Sequence, residues 1–359
     1  MLSDLLSRDP FQSPMLWGCE IMSGGWKRLR NAIIRKSHGR FKSVLSTDWS
    51  QFDRRALFSI IDDVHSTWHS FYDWSGTYQP TSFYPSATTN PDRLQNLWTW
   101  FTYNVKHYPI SLPNGEVYSW TTNGIASGYQ ETQLLDSWVN GIMLLTCLSE
   151  IGVNIESDSF FVKVQGDDSI VTFNEDYFQF YGNRFLELVS IIAENRFNAK
   201  LSAEKSTFTN TLDGVKVLGY KNKDGIAYRD DLDLMSHLLF PERHQTRSQT
   251  ASTAVGLALA SMGCSKPFYN TCKMVYEYMT SFEETLMVDS MTFNKLLYTG
   301  GYSVLEYFFN KDDDLEPIPE FPDFDFCYRQ NFILELRSES QSQRLWPTRP
   351  DAKNGFYFL

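Results

Sequence analysis

The chain has 359 residues, 42% hydrophobic, 16% aromatic and 21% charged, a composition that excludes wholesale disorder and a coiled coil. At this length, past the roughly 250 to 300 residues that one core serves, two or three subdomains around a shared site are expected. A net charge of -11 argues against a globally basic nucleic-acid binder, and five cysteines without a CxxC pair imply neither a disulfide framework nor a zinc knuckle, only buried, reduced thiols.

The opening MLSDLLSRDPFQSP carries acids and proline where a signal peptide needs an apolar stretch, and no apolar run approaches the roughly 20 residues of a membrane span. No membrane partner is expected. Between Gly24 and Arg55 nine bases, Arg28, Arg30 and Arg35 among them, face two acids, a local charge of +7, so this region could bind phosphate. Residues 41–47, FKSVLST, are β-prone and end at Asp48, and helical spacing follows from Arg55 to Phe71 through Leu57, Ile60, Ile61, Val64 and Trp68. Gly76, Pro80, Pro85 and Pro91 mark 72–92 as a connecting region, and periodicity resumes at Leu94.

A Gly-rich turn then leads into a helix from Thr132 to Leu148, with Leu134, Leu135, Trp138, Ile142 and Leu145 on one flank. FFVKVQ and SIVTF read as two strands separated by Gly166, Asp167 and Asp168 alone, so both acids are expected at a tight turn, outside the ladder. A helix is expected from about Tyr177 to Asn195, a loop at LSAEKS, a hairpin turning at Asp224 and Gly225, and mostly helix from Asp231 onward. The stretch from Glu306 to Asp325, with Lys311 as its one base and prolines at 317, 319 and 322, reads as a solvated segment. There is no internal repeat.

An acid at a strand end, a pair at a hairpin, and an intervening Gly-rich loop and helix are the parts needed to hold divalent metals beside a phosphate. GDD alone is weak evidence. It is joined by DWSQFD (48–53), SGYQETQLLDSWVN (127–140), AEKS (203–206) and VLGY (217–220), and in this order the runs resemble motifs A to E of viral RNA-dependent RNA polymerases, most closely those of partitiviruses and related small double-stranded RNA viruses. The resemblance covers about residues 15 to 245.

It implies an α+β right-hand fold: an antiparallel palm sheet backed by helices, partial fingers and a helical thumb. The expected division is 1–40 residual fingers, 41–71 palm with motif A, 72–120 a fingers insertion, 121–230 palm with motifs B to E, and 231–359 thumb and C-terminal segment. The implied activity is RNA-templated RNA synthesis with two Mg2+ ions, Mn2+ able to substitute, held by Asp48 and Asp167 with Asp168 in support. Lys205 matches the lysine that protonates pyrophosphate, with Lys200 as a competitor. Asp53 resembles the acid that reads the ribose 2'-hydroxyl. Its partners lie on the motif B helix, where Thr132, Asp136 and Asn140 share a face. The position usually held by Asn is Asp136 here, which leaves the ribose contact open between Asp136 and Asn140. Ser127 and Gly128 resemble the flexible motif B loop. For Tyr220 and Lys221 the resemblance implies the hairpin that supports the primer end, with a simple basic hairpin tip as the alternative. Arg28, Arg30 and Arg35 are candidates for RNA or nucleotide contact, with general electrostatics or a solvated face as the alternative.

RNA template and product, ribonucleoside triphosphates and a viral capsid protein are the implied partners, and the virion interior or host cytoplasm the implied location. Only 47 residues precede Asp48, fewer than the family's fingers require, so a partial polymerase is expected. A noncatalytic RNA-binding protein on the palm fold is the alternative. A reverse transcriptase would show an aromatic-X-Asp-Asp turn, whereas Gln165 and Gly166 precede Asp167, and a phosphohydrolase is disfavoured because none of the six histidines lies near the acids.

Overall fold

The computed structural model describes residues 11, 13–16, 19–72, 74, 90–126, 132–241, 244–282 and 320–334. In chain order the elements are α1 (Gly25–Lys36), β1 (Ser43–Thr47), β2 (Trp49–Ser50), α2 (Phe52–Arg55), α3 (Phe58–Ser70), α4 (Pro91–His107), β3 (Pro109–Ser111), β4 (Val117–Ser119), α5 (Thr132–Ile151), β5 (Phe161–Gln165), β6 (Asp168–Phe173), α6 (Tyr177–Tyr181), α7 (Arg184–Phe197), β7 (Lys200–Leu201), β8 (Thr207–Thr209), β9 (Lys221–Lys223), β10 (Ile226–Tyr228), α8 (Asp231–Leu239), α9 (Arg247–Ala260), α10 (Lys266–Thr280) and α11 (Phe324–Arg329). Two compact units result. The first takes the described residues of 1–17 and 40–210, the second those of 18–39 and 211–337.

The first unit is built on a four-stranded antiparallel sheet in the order β5-β6-β1-β8. β1 is buried at all five positions, as expected of a central strand covered on both faces. Its pairing with β6 runs from Ser43 opposite Phe173 to Thr47 opposite Ser169. Continuing that register by one step brings Asp48 across from Asp168, so the ends of both strands that carry acids coincide.

Helices back this sheet. α5 buries Leu134, Leu135, Val139, Leu144, Cys147 and Leu148 in the core, and α7 contributes Phe185, Val189 and Ala193. Phe185 stacks on Phe208 of β8 at 4.3 Å with planes 12° apart, and meets Phe173 of β6 at 6.1 Å. Such ring pairs fix the distance between helix and sheet as well as burying area. By length and composition α5 would suit a membrane span, with a mean hydropathy of 1.2, but half of that window is buried in the protein. It is the core helix of this unit.

Several sequence expectations are corrected. Asp168 is not outside the ladder: it opens β6 and pairs with Gln165, leaving Gly166 and Asp167 as a two-residue turn. The helix expected at Tyr177–Asn195 is two helices, interrupted at Gly182, and the one expected from Arg55 starts at Phe58 after the short α2 ends at Arg55. All five cysteines are free, but Cys264 is exposed rather than buried. The acidic stretch is described only from Glu320 on.

The second unit gathers α8, α9, α10 and α11 around Leu234, Val255, Ala258, Phe268, Cys272 and Cys327. Its hairpin β9–β10 turns as expected at Asp224 and Gly225, whose φ values of 53° and 82° are those of a type I′ turn. Asn222, fully buried, braces the turn by donating to the Leu212 carbonyl at 2.6 Å and accepting from the Gly225 N–H at 3.2 Å.

Because Phe185 links α7 to two strands of the sheet, Phe185→Ala is expected to destabilise the protein by about 3 to 5 kcal/mol, measured as a lower urea midpoint.

Candidate active site

Asp48 leaves β1 into a collar formed by the loop after β7. Its N–H donates to Ser206 Oγ at 3.1 Å, and its carbonyl accepts from the Ser202 N–H at 2.8 Å. Lys205, in the same loop, brings Nζ to 3.6 Å from Asp48 Oδ1, with most of its side chain exposed. Backbone grips of this kind fix where a carboxylate points without neutralising it.

The turn carrying Asp167 is equally constrained. Gly166 has φ of 60°, as the first central position of a II′ turn requires, and a β-carbon there would sit 3.0 Å from Gln133 Nε2. The Gly166 N–H donates to Ser137 Oγ at 2.8 Å. Asn140 is wholly buried: its Nδ2 donates to the carbonyls of Gly166 at 2.9 Å and Asp168 at 3.2 Å, while Oδ1 accepts from the Trp49 indole N–H at 2.8 Å.

Electrostatics bind the acids into one group. Asp167 keeps an accessible edge, yet its surroundings strip enough water to raise its pKa; its own backbone N–H opposes the rise, Asp48 and Asp53 add to it, and Lys205 lowers it. Asp136 is more confined. Burial, then Asp167 and Asp53, push its carboxyl up to about 7, and its Oδ1 is buried without a hydrogen-bond partner. Asp53 is exposed in α2, where its carbonyl accepts from the Ile125 N–H at 2.7 Å. Like charges are thus held near each other with one lysine in attendance, an arrangement that favours a cation.

Among the described residues no three His, Cys, Asp or Glu side chains form a group able to hold a metal ion. Two carboxylates remain, and the donor chemistry fits a hard divalent cation: Mg2+ characteristically takes one or two carboxylates and completes its shell with water and substrate phosphate. The orphaned Asp136 oxygen and the pKa values of Asp136 and Asp167, raised by burial and then by neighbouring acids, are consistent with a place that favours a cation.

The other expected residues fall as follows. Thr132 opens α5 and donates its hydroxyl to the Ala126 carbonyl at 2.6 Å. Ser127 and Gly128 lie outside the described residues. Lys200 is exposed in β7 with its backbone paired to Ser50. Arg28, Arg30, Arg35, Tyr220 and Lys221 belong to the second unit. There Arg28 is buried and donates to the carbonyl of Ser23 and, at 2.9 Å, to that of Ile333. Tyr220 is buried, its carbonyl accepts from the Trp26 indole at 3.0 Å, and burial pushes its phenol up to about 12. Both therefore leave the RNA-facing set, since a buried side chain holding its own unit together has no surface to offer. Arg30 pairs with Asp224 at 3.2 Å, Lys221 with Asp230 at 2.9 Å, and Arg35 is exposed.

Sequence reading missed Ser137, Ser202 and Ser206 and saw Trp49 only as an aromatic. Ser137 and Ser206 sat inside the quoted runs, but their hydrogen bonds depend on helix rotation and loop closure that spacing does not reveal.

Residues 4–280 match the family described as viral RNA-dependent RNA polymerase. The chain is 31% identical over 351 residues to an RNA-directed RNA polymerase of White clover cryptic virus 1, and 29% identical over 308 residues to one of Atkinsonella hypoxylon virus. Those alignments take in 95% and 76% of this chain but 54% and 45% of the relatives, so the chain spans about half the length of the curated proteins it matches. The crystal structure of the RNA-dependent RNA polymerase of a human picobirnavirus superposes with a TM-score of 0.56 at 13% identity over 81% of this chain and 54% of that one, a likeness of fold.

The Asp136 carboxyl yields a pH prediction. Its folded pKa lies above the unfolded value of 3.8, so the folded state holds more protons, and this group's contribution to stability is fully present below about 4 and is lost as pH rises through about 7. Asp167, also raised, acts in the same direction. Asp136→Asn, which cannot ionise, is expected to flatten this decline and stabilise the metal-free protein at pH 8 by on the order of 1 to 3 kcal/mol, read from urea midpoints at pH 5 and pH 8.

Proposed function

Because the chain belongs to the viral RNA-dependent RNA polymerase family, we propose that it carries out RNA-templated RNA synthesis, in which a 3'-hydroxyl attacks the α-phosphate of a ribonucleoside triphosphate and pyrophosphate leaves. The observation that carries this reading is the convergence of Asp48 and Asp167 at one end of the β1–β6 pair, Asp48 held by backbone hydrogen bonds and Asp167 with its pKa raised by burial and, to a lesser degree, by Asp48.

In this reading Asp48 and Asp167 hold the divalent cations, Mg2+ or Mn2+, and Asp168 supports them from the start of β6. Bound there, such ions supply charge neutralisation at the phosphate and ease ionisation of the attacking hydroxyl. The protein's own part is mainly positioning, which suits phosphoryl transfer, where little covalent help is needed. Lys205 keeps Nζ exposed beside Asp48 and delivers a proton to the departing pyrophosphate.

Recognition of ribose falls to Asp53 and Asp136. With its carboxyl near 7, Asp136 offers an O–H donor in its protonated form while Asp53 accepts, so the pair can meet both faces of a 2'-hydroxyl. Asn140 is spent on Trp49 and the turn, which favours Asp136 over it for this contact. Thr132, through its tie to Ala126, sets the start of the helix that presents Asp136, and Arg30, Arg35 and Lys221 are the remaining candidates for RNA contact. Replication and transcription of a double-stranded RNA genome, with a capsid protein as partner in the virion or host cytoplasm, complete the reading on the strength of the sequence resemblance.

The test is incorporation of ribonucleotides on a homopolymeric RNA template with Mg2+ or Mn2+. Asp167→Ala is expected to reduce incorporation to background; undiminished synthesis would remove the acids from the mechanism. Asp53→Ala is expected to relax discrimination against deoxyribonucleotides by about tenfold, the worth of one hydrogen bond to a charged group, checked by competing the two substrates.

A further inference from the structure

We propose that Ser137 and Asn140 are positioning residues for the two acids, a clamp in which one face of α5 fixes the turn carrying Asp167 and ties it to the chain leaving Asp48. This rests on the polymerase reading above. The Asn140 amide is used from both ends: Trp49, the residue after Asp48, donates its indole N–H to Oδ1 at 2.8 Å, and Nδ2 donates to the carbonyls of Gly166 at 2.9 Å and Asp168 at 3.2 Å, which flank Asp167. Three residues earlier on the helix, Ser137 Oγ accepts the Gly166 N–H at 2.8 Å and donates to the Gln133 carbonyl at 2.6 Å. The chain neighbours of both acids therefore meet on a single side chain, with the serine as a second point of attachment.

The chemistry of the residue types explains the choice. An amide supplies one acceptor and two donors. A carboxylate at 140 would set oxygen against the two turn carbonyls, and an apolar residue would remove the partner of the Trp49 indole and the bond that the Gly166 carbonyl accepts, where Trp49 is 3% and Asn140 0% exposed. Neither Ser137 nor Asn140 is placed among the groups that meet substrate. What they set is the spacing between Asp48 and Asp167, and small, rigid cations such as Mg2+ tolerate little error in the spacing of their ligands.

The experiment uses the full chain and reads two quantities. Mn2+ binding is titrated by electron paramagnetic resonance without RNA or nucleotide, and the Mg2+ concentration for half-maximal RNA synthesis is measured together with the KM for nucleotide. Trp49→Phe keeps an aromatic ring and removes the indole N–H, Ser137→Ala removes one acceptor, and Ser137→Thr restores a hydroxyl. Leu148→Ala, a buried apolar change on the same helix, controls for lost stability, which is followed by thermal midpoint.

The clamp predicts that Trp49→Phe and Ser137→Ala each weaken Mn2+ binding and raise the half-maximal Mg2+ by about tenfold, the usual scale for partners that orient metal ligands. Nucleotide KM should stay within about twofold, Ser137→Thr should recover the parent's metal affinity, and Leu148→Ala should lower the midpoint at unchanged metal affinity. Parent-like Mn2+ binding in both variants, or losses matched by Leu148→Ala, would overturn the clamp while leaving the polymerase reading intact if the parent itself binds Mn2+ and makes RNA. A parent that does neither would overturn that reading, and the clamp with it.

Discussion

Carboxylates repel one another, and a protein that holds several of them together must hold them against that force. In this chain the restraint comes from strand register. Once β1 and β6 pair with Thr47 opposite Ser169, Asp48 and Asp168 have no freedom to slide apart, because a slip of one residue would move the side chains of two central strands, buried on both faces, onto the opposite face and against packing that does not fit them. The apolar burial of Val44, Leu45, Ile170 and Val171 thus fixes the positions of the charges. Beside them the carboxyls of Asp136 and Asp167 are raised, first by burial and then by neighbouring acids, and a bound cation would oppose that rise.

The helix behind the sheet serves two ends with one periodicity. Leu135, Val139 and Leu148 of α5 enter the core, while Asp136, Ser137 and Asn140 reach the turn and the acids. A long helix locked by core packing is a firmer support than a loop, so the polar residues it carries are placed by hydrophobic contacts. The loop from Ser202 to Ser206 adds restraint to Asp48 through backbone bonds, which need no particular charge and leave Lys205 exposed.

Local pattern made much of this legible. The strand before Asp48, the helix from Thr132, the hairpin around Gly166 and Asp167, and the Asp224–Gly225 turn were all readable, since each depends on period and turn chemistry within about twenty residues. The grouping of Asp48 with Asp167 came from resemblance, as no spacing rule spans the 118 residues between them. What stayed hidden depends on contacts distant in sequence. Trp49 with Asn140 is one such pair, and Asp48 with Ser206 is another. The short α6 and its break at Gly182 were hidden too, because the apolar run through 177–195 reads as continuous helix.

The basic run shows why a count of charges overstates an RNA-binding face. Arg and Lys carry long apolar stems, and Arg a fork of donors that can close off backbone carbonyls. Arg28 does so at Ser23 and Ile333, Arg55 donates to the Asn198 carbonyl at 2.8 Å, Arg30 pairs with Asp224, and Lys27 lies 4.6 Å from the centre of the Phe332 ring. Each of these cations is engaged within its own unit. Arg35, Lys36, Arg40, Lys42 and Arg54 are exposed, so the part of the run presented to solvent is smaller than the local charge of +7 suggests, and any phosphate contact from this segment would fall mainly to these five.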